Sequence, residues 1–529
     1  MPGLTRSGLV FALLQCVPLA CALLQPLIDH AAPNLISCTV VLASHTLTVH
    51  YLARTQAFMQ FPLASLAVLG MCITTQSGAL IAQTLLWTPL TEGLVDPMYT
   101  FGWLAAFQSC ALLALVIFRG LLVFTTMRNT LGHLLRPLHI FDSPNPAELW
   151  AIGIIGLLAL VARTVSELGL MGKVLDGLRF LAWAPFLIPV LHVMRPGYSA
   201  DMRRQWHALA LFLLLAVLIA LIANARNLMF LGVVTAGLLL LLLTLRDQRA
   251  AGKGLVVRIV TLTVVGLVLL NPLADLATAM VVVRGMRESA SPGELVAETW
   301  HVLLHERHRL DTYRDNFDLD RILSIYDETY IANPVLNRFI ETKYHDNMLA
   351  FVQGFSPIER DALWGITVEQ LIAVLPQPAL DLLSIGIDKG FLMVSMGDHI
   401  ANLSLGLEVG GLKTGSMFAH GLALFGPAFL LFYIGLCVLS YLMWESLCAT
   451  DRDGRLAIAP VAMLLAWPLF IYGISGESIV KLLHGFLRNY AQSILLYSVV
   501  FWAVRGMLRI GTSQTAFAQK SSYARQRKE

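Results

Sequence analysis

The fold is decided by the stretch HALALFLLLAVLIALIANARNLMFLGVVTAGLLLLLLTLR, residues 207–246. Two apolar runs lie on either side of a short polar break, Asn224-Ala-Arg-Asn227. Each run has about 20 residues, which is the length an α-helix needs to cross the hydrocarbon core of a bilayer. The stretch therefore predicts two consecutive membrane-spanning helices with Arg226 at the turn between them.

Composition extends this prediction to the whole chain. Of the 529 residues, 57% are hydrophobic and only 13% are charged, and the mean hydropathy is +0.70. Soluble domains have about 25% charged residues. A soluble globular protein and a disordered protein are both excluded, and an all-α polytopic membrane protein is expected.

Apolar segments of spanning length predict about twelve transmembrane helices. A re-entrant or interfacial piece remains an alternative for the stretch 75–97. The predicted spans are 8–28, 33–53, 58–78, 99–118, 148–166, 176–194, 206–225, 227–245, 255–273, 419–444, 456–474 and 487–507.

The distribution of Lys and Arg predicts the orientation. With a cytoplasmic N-terminus, 20 basic residues fall on the cytoplasmic side, and the short loops of the other side hold four. This is the positive-inside bias of membrane proteins, and it predicts that both termini are cytoplasmic. The predicted parts are a nine-span bundle over 1–273, an outer cap over 274–417, three spans over 418–507 and a basic tail over 508–529.

The segment 274–417 is the one large extracytoplasmic loop that this topology predicts. It carries 11 basic and 20 acidic residues, whereas the rest of the chain has a net charge of +12. Its apolar residues recur at helical spacing, so we expect a mainly helical cap. One predicted helix begins at Asn333-Pro334, and 359–383 is an amphipathic run broken by two prolines. The helix beginning at Asn333 would have Leu336, Phe339, Ile340 and Tyr344 on one face and Arg338, Glu341 and His345 on the other.

Basic residues beside the outer ends of spans are the candidate ligands of an anion. Arg226 stands between two spans, where the positive-inside bias disfavours an outer Arg. A helix-end arginine that extends to the interface is the alternative interpretation of Arg226. Lys481, His484 and Arg488 are three and four residues apart, so one helical face would present all three; a solvated loop helix is the alternative. Guanidinium groups bind phosphate oxygens with two parallel hydrogen bonds, which favours a phosphate ligand.

Candidate bases lie in the same outer loops. His420 opens the tenth span and Glu477 lies in the last outer loop, and either is suited to take a proton from a hydroxyl group. Arg338, Lys343 and His345 of the cap are further substrate-binding candidates, with a solvated helix face as the alternative. The seven cysteines show no metal-binding or disulfide spacing, so no metal and no cofactor is expected.

The order of these features resembles the O-antigen polymerase and ligase superfamily, in particular the Wzy-type polysaccharide polymerases. The resemblance covers roughly residues 200–505. It consists of the Asn224-Ala-Arg-Asn227 turn, a large outer loop before the last three spans, the stretch Thr414-Gly-Ser-Met-Phe-Ala-His420, and Glu477 and Arg488 before the final span.

The resemblance implies a GT-C-like glycosyltransferase of the bacterial inner membrane that works at the periplasmic face without a metal. It would polymerise undecaprenyl-diphosphate-linked repeat units with inversion at the anomeric carbon. Arg226 and Arg488 would hold the diphosphate and His420 would be the base. In ligases, the residue after the corresponding His is Asn, Ser or Gln. In this sequence the residue after His420 is Gly421. The expected partners are the lipid-linked oligosaccharide, membrane lipid and a candidate chain-length regulator, and no nucleic acid.

Two other functions remain open. One is an O-antigen ligase or a protein O-oligosaccharyltransferase of the same superfamily. The other is a transporter of an anionic or lipid-linked solute. Transporters often contain internal repeats and broken helices. No repeat relates the halves of this sequence, and a 144-residue outer segment is unusual for a transporter.

Overall fold

The computed structural model describes residues 5–526 except 166–168, 195–197, 199–200, 223–227, 251, 287–289, 314–325, 376, 388, 393 and 451–455. The chain is about 81% helical, and this confirms the expected all-α polytopic fold. Among the described residues, ten helices are long and apolar enough to cross a membrane. They are Arg6–Ile28, Ala32–Arg54, Pro62–Leu85, Pro97–Gly120, Val174–Met194, Met202–Ile222, Leu228–Arg246, Ile259–Met286, Met417–Glu445 and Ile479–Ile510.

Two of the twelve predicted spans take other forms. The stretch 148–166 lies in the helix Pro146–Val165, whose apolar part is the shorter Pro146–Ala162. The stretch 456–474 holds the two short helices Pro460–Leu464 and Ala466–Tyr472. The count of twelve therefore stays a prediction.

The chain divides into two compact units. The first comprises Met1–Arg128, Leu241–Ser446 and Pro468–Arg488. The second comprises Asn129–Leu240, Leu447–Trp467 and Asn489–Glu529. Most of the candidate site residues belong to the first unit.

The first unit contains most of the membrane-spanning helices and the whole outer segment. Beyond the spans named above, its α-helices are Ala57–Gln60, Pro292–His305, Thr342–Gln353, Pro357–Ile372, Gln377–Leu382, Lys389–Leu392 and Met396–Leu405. Its 3-10 turns are Val283–Met286, Leu336–Phe339 and Gly426–Ala428. Its π turns are Ile73–Ser77 and Gly485–Tyr490.

The second unit is also helical, and it contains a two-stranded antiparallel sheet of Cys448–Thr450 and Leu456–Ile458. Arg505 donates to Glu148 at 2.9 Å and to Asp142 at 2.7 Å, which fixes the last helix to the start of Pro146–Val165. Its helical segments are Leu122–Leu135 (which begins in the first unit), Arg136–Leu138, Pro146–Val165, Gly169–Leu178, Arg179–Phe186, Leu187–Met194, Met202–Ile222, Leu228–Arg246, Pro460–Leu464 and Ala491–Gln526.

An aromatic cluster forms part of the core of the first unit. Phe107 stacks on Phe418 with ring centroids 4.3 Å apart, and Tyr433 meets Phe107 edge-on at 5.1 Å. The Tyr433 hydroxyl donates to the carbonyl oxygen of Ile474 at 3.0 Å, so the buried polar atom of this aromatic residue is satisfied. These contacts join the helices Pro97–Gly120 and Phe429–Glu445 to the start of the last outer loop.

Two details of the outer segment differ from the sequence prediction. The helix Lys253–Val282 continues nine residues past the predicted start of the segment at 274. The predicted continuous helix from Asn333 is wrong: Leu336–Phe339 is a 3-10 turn, Ile340 is extended, and Thr342–Gln353 is a separate helix. The Asn333 side chain accepts from the backbone N–H of Val335 at 3.0 Å. The predicted cap therefore forms, but it precedes a short 3-10 turn and not a long helix.

We expect Gly70 to be essential for helix packing. A Cβ at this position would lie 1.9 Å from the carbonyl oxygen of Phe470, so Gly70→Ala forces two backbones apart. Overpacking of this kind costs about 1–3 kcal/mol. Thermal unfolding of the purified protein in detergent should show a lower midpoint.

Gly102→Ala is the matched control, because nothing lies within 4 Å of a Cβ at Gly102. A helical Gly to Ala change in open space stabilises by about 0.5–1 kcal/mol. If both variants unfold at the wild-type temperature, this account of Gly70 fails.

Candidate functional site

The helix Thr342–Gln353 is polar in sequence but buried in the structure. It reads TKYHDNMLAFVQ, and every residue from Thr342 to Leu349 is buried. A solvated helix face, the alternative interpretation of Lys343 and His345, is therefore excluded for both, since His345 is fully buried and Lys343 is 6% exposed; Glu341, just before the helix, is 2% exposed. Buried polar groups are costly unless they find hydrogen-bond partners. The site is built from those partners.

The start of this helix is hydrogen-bonded to a π turn in a membrane-spanning helix. Ile73–Ser77 interrupts the span Pro62–Leu85 with π geometry. The Glu341 N–H donates to the Thr74 carbonyl at 2.7 Å, and the Thr342 hydroxyl donates to the Thr75 carbonyl at 2.8 Å. π turns change the backbone hydrogen-bonding register and occur often at functional sites. Here the turn presents two carbonyl groups to a neighbouring segment.

The Glu341 carboxyl is buried between hydroxyl groups. Its Oε2 accepts from Ser475 Oγ at 3.0 Å and from Thr74 Oγ1 at 3.3 Å. Its Oε1 has no hydrogen-bond partner among the described residues. Burial raises the pKa of Glu341 to about 8, because the charged form loses its hydration. The carboxyl is thus mostly neutral at pH 7 and holds an exchangeable proton.

His345 lies one helical turn after Glu341. Its Nδ1 is 2.7 Å from the Ser416 hydroxyl, and its Nε2 is 3.8 Å from Glu341 Oε2. Burial lowers the pKa of His345 to about 3, so the ring is neutral at physiological pH. Ser416 also accepts from the Ala419 N–H at 3.3 Å, as the N-cap of the helix Met417–Phe425. His345 is therefore connected to the start of the helix that carries His420.

His420 is fully buried in that helix. Its Nε2 is 2.8 Å from the Thr367 hydroxyl, and that hydroxyl is 2.7 Å from the Leu363 carbonyl. A hydroxyl has one proton, and the carbonyl can only accept it, so the ring Nε2 carries a hydrogen and donates to Thr367. Nδ1 is then the nitrogen with the free lone pair. No hydrogen-bond partner of Nδ1 exists in the described part of the chain.

Glu477 lies against the same stretch of chain. Its Oε1 accepts from the Met396 N–H at 3.2 Å, and its Oε2 pairs with Lys481. The neighbouring Gly476 carbonyl accepts from the Met417 N–H at 3.0 Å. The structure thus brings His345, His420 and Glu477 around the segment 414–420.

Lys343 has a different environment from the other basic candidates. Its side chain is 8% exposed and lies 3.5 Å from Asp346. Asp346 in turn accepts from the N–H of Val95 at 2.6 Å and from the Thr100 hydroxyl at 2.9 Å. This arrangement fixes the start of the span Pro97–Gly120, so the contacts of Lys343 are structural. Its role in substrate binding stays a prediction.

The remaining basic candidates are more accessible. Arg338 is exposed on the turn Leu336–Phe339, and Arg488 is exposed in the π turn Gly485–Tyr490. Lys481 is 66% exposed at its side chain, and His484 is partly buried within reach of the Lys481 and Arg488 charges. Arg226 lies outside the described residues.

One group of side chains has the composition of a metal site. Single ligand atoms of Glu298, His301 and Glu306 all lie within 4.8 Å of one another. Arg309 donates to Glu306 at 2.6 Å and to Glu298 at 3.3 Å. Because a guanidinium group already neutralises both carboxylates, the geometry favours an ion-pair network over a cation site.

Sequence reasoning missed Glu341 as a site residue, together with its partners Thr74 and Ser475. It also missed Thr367, which fixes the His420 ring. The available signal was the run Glu341-Thr-Lys-Tyr-His-Asp-Asn347, seven polar residues followed by Met-Leu-Ala-Phe. Such a run is usually a solvated face, and only the tertiary structure shows that it is covered.

Comparison with protein-family models, curated proteins and solved structures found no match to this chain.

We expect Glu341 to make the stability of the protein depend on pH. A carboxyl with a raised pKa stabilises the fold while protonated, and this contribution is lost as the pH rises from the usual 4.5 through about 8. The midpoint temperature of thermal unfolding of the wild-type protein should therefore decrease as the pH is raised from 6 to 9. Glu341→Gln, which stays neutral, should remove most of this fall.

Glu369→Gln is the control, because Glu369 is exposed on the helix Pro357–Ile372. It should keep the wild-type dependence on pH. An unchanged dependence in Glu341→Gln would contradict the assignment of a buried, protonated carboxyl.

Proposed function

We propose that this protein is an integral-membrane glycosyltransferase that polymerises undecaprenyl-diphosphate-linked oligosaccharide repeat units at the periplasmic face of a bacterial inner membrane. Two things support the proposal. One is the resemblance in layout to the Wzy-type polymerases. The other is the set of buried titratable side chains, Glu341, His345 and His420, together with the exposed basic side chains at the start of the last span. Ionisable groups among membrane-spanning helices usually have a functional reason.

In the proposed reaction, a hydroxyl of the acceptor unit attacks the anomeric carbon of the donor. The bond from that carbon to the diphosphate oxygen breaks, and the lipid diphosphate leaves with the bonding electrons. The hydroxyl proton passes to a base of the protein. The new glycosidic bond thus forms with inversion, and no oxidant or reductant is needed.

His420 is the proposed base, and its unpartnered Nδ1 is the observation that carries the proposal. Thr367 fixes the tautomer so that the lone pair of Nδ1 is available. A positioned general base contributes about 10²–10⁴-fold to a rate. Glu477, which the sequence also offered as a base, is the partner of Lys481 and is better placed to orient that ammonium group.

Arg488 and Lys481 are the proposed ligands of the leaving diphosphate, with Arg226 as the third. Arg488 and Lys481 lie in the first turns of the span Ile479–Ile510 and are exposed. Their positive charge would stabilise the negative charge that develops as the bond to the diphosphate breaks. His484 lies between them in sequence, and Arg338 and His345 complete the set of substrate-binding candidates.

The packing around His420 bears on the choice between polymerase and ligase. Ligases of this superfamily place Asn, Ser or Gln after the corresponding His. Here Gly421 packs so closely on Phe429 that a Cβ would lie 2.2 Å from the ring. A larger side chain would not fit at 421 without displacing Phe429, and this favours polymerase over ligase.

A transporter is the second candidate, because a buried carboxyl with a pKa near 8 is suited to carry a proton across a membrane. The product distinguishes the three functions. Polymer that accumulates on the lipid carrier supports polymerase over ligase. Purified protein that moves a solute into liposomes without any sugar transfer supports the transporter.

Removal of the proposed diphosphate ligands should abolish long-chain product. Arg488→Ala and Arg226→Ala each remove a positive charge that would stabilise the diphosphate leaving group. Each change should lower the rate of polymerisation by about 10²-fold or more. Gel analysis of polysaccharide from cells that carry each variant measures chain length, with membrane insertion and expression checked in parallel. Arg360→Ala is the control, since Arg360 is an exposed arginine of the cap. Normal chain lengths in both variants would contradict the assignment.

The role of His420 is tested by His420→Gln and Thr367→Val. The first removes the base and should reduce polymerisation by about 10²–10⁴-fold. The second leaves the base but removes the hydroxyl that fixes the ring, so a smaller loss is expected. Both proteins should elute as the wild type in size-exclusion chromatography. Full activity of His420→Gln would exclude His420 as the base.

A further inference from the structure

The helix Pro357–Ile372 buries two polar side chains and leaves several apolar side chains exposed. Thr367 and Gln370 are buried next to Leu363. Thr367 contacts His420, and Gln370 donates to the Leu392 carbonyl at 2.6 Å. An amphipathic helix in water has the opposite arrangement. The outer face of this helix therefore needs an explanation other than solvent.

The exposed side chains form one apolar stripe. Trp364 is 49% exposed, Val368 and Leu371 are each 37% exposed, and Leu375, just after the helix, is 41% exposed. They recur at intervals of four, three and four residues, which places them on one side of a helix. Exposed apolar residues scattered singly are normal, but a continuous stripe indicates a binding surface.

The apolar surface continues beyond the helix. Leu382 is 86% exposed at the end of the helix Gln377–Leu382, and Leu383 is 58% exposed. Between Asp361 and Asp388 the only charged residues are Glu369 and Asp381. This low charge is unusual in a segment that holds 31 charged residues in 144. It argues against a charged or polar partner.

The stripe is continuous with a lipid-facing surface of the first unit. The Trp364 ring meets Phe425 edge-on at 5.8 Å, and Phe425 lies 4.9 Å from Phe432. Phe432 and the adjacent Leu431 are 56% and 75% exposed on the span Met417–Glu445. Side chains of this kind on a membrane-spanning helix face acyl chains.

The position of Trp364 along that span matches a membrane interface. The helix Phe429–Glu445 has 17 residues, or about 26 Å at 1.5 Å per residue, which is close to the hydrocarbon thickness of about 30 Å. Phe425 precedes this helix by one turn, so Trp364 would lie near the end of the hydrocarbon where Phe429–Glu445 is the part of Met417–Glu445 that crosses it. Trp is enriched at this level of a membrane.

We propose that residues 357–375 and 377–383 form a membrane-dipping element whose apolar stripe lies among the lipids of one phospholipid leaflet. Glu359, Arg360 and Asp361 at its start remain with the headgroups. The inner face of the same helix holds the His420 ring through Thr367, so the leaflet supports the position of that ring. The inference requires a membrane protein but does not depend on the proposed glycosyl transfer.

Cysteine accessibility tests the proposal. Val368→Cys, Leu371→Cys and Asp361→Cys are made singly in the full chain, purified and reconstituted in phosphatidylethanolamine and phosphatidylglycerol vesicles. A charged, membrane-impermeant maleimide is then applied. Cysteines at 368 and 371 should react about ten-fold or more slowly than the cysteine at 361, because a charged reagent does not enter hydrocarbon. Denaturation in strong detergent should make all three equally reactive.

The wild-type chain gives the background, since none of its seven cysteines forms a disulfide and all but Cys448 lie within membrane-spanning helices. The cysteine at 361 also corrects for the orientation of the protein in the vesicles. Equal, rapid labelling at 361, 368 and 371 would overturn the proposal. Protection in native membranes that disappears in vesicles of pure protein and lipid would also overturn it, because a protein partner would then cover the stripe.

Discussion

The burial of the polar helix Thr342–Gln353 is the constraint on which the first unit depends. Buried polar groups are costly unless they find hydrogen-bond partners. Asp346 meets this need with backbone N–H groups at the start of Pro97–Gly120, and Thr342 meets it with a carbonyl of the π turn. The outer segment is thereby fixed to two membrane-spanning helices through hydrogen bonds as well as through apolar contact.

The same constraint makes the unsatisfied atoms informative. Glu341 Oε1, His345 Nε2 and His420 Nδ1 are buried and have no hydrogen-bond partner among the described residues. An unsatisfied buried donor or acceptor costs about 1–3 kcal/mol. The three atoms lie on segments that Ser416 joins. A site that takes a hydroxyl or a proton from a ligand would recover part of that free energy.

The sequence predicted some parts of this arrangement well and others poorly, for a physical reason. Membrane spans follow from length and apolarity, properties that each segment carries by itself. His345 and His420 could be singled out because ionisable residues beside spans are rare. Glu341 was placed only on the polar face of a predicted helix, because its spacing is the same whether water or another helix covers that face. The π turn at Ile73–Ser77 has no sequence signal of its own, and the tautomer of His420 depends on Thr367, 53 residues away.

The distribution of charge and the apolar stripe lead to one conclusion about how a ligand would arrive. The segment 274–417 has a net charge of −9, and in the proposed topology its field would repel anions from the aqueous side. The exposed Arg488 and Lys481 lie in the first turns of the span Ile479–Ile510. A free anion would have to pass the acidic segment, whereas an anion carried on a lipid can reach the same groups from within the bilayer. A membrane-dipping element beside His420 would keep this proposed base at the same depth in the membrane as Arg488 and Lys481. A lipid-linked substrate requires that its reacting groups meet at one depth.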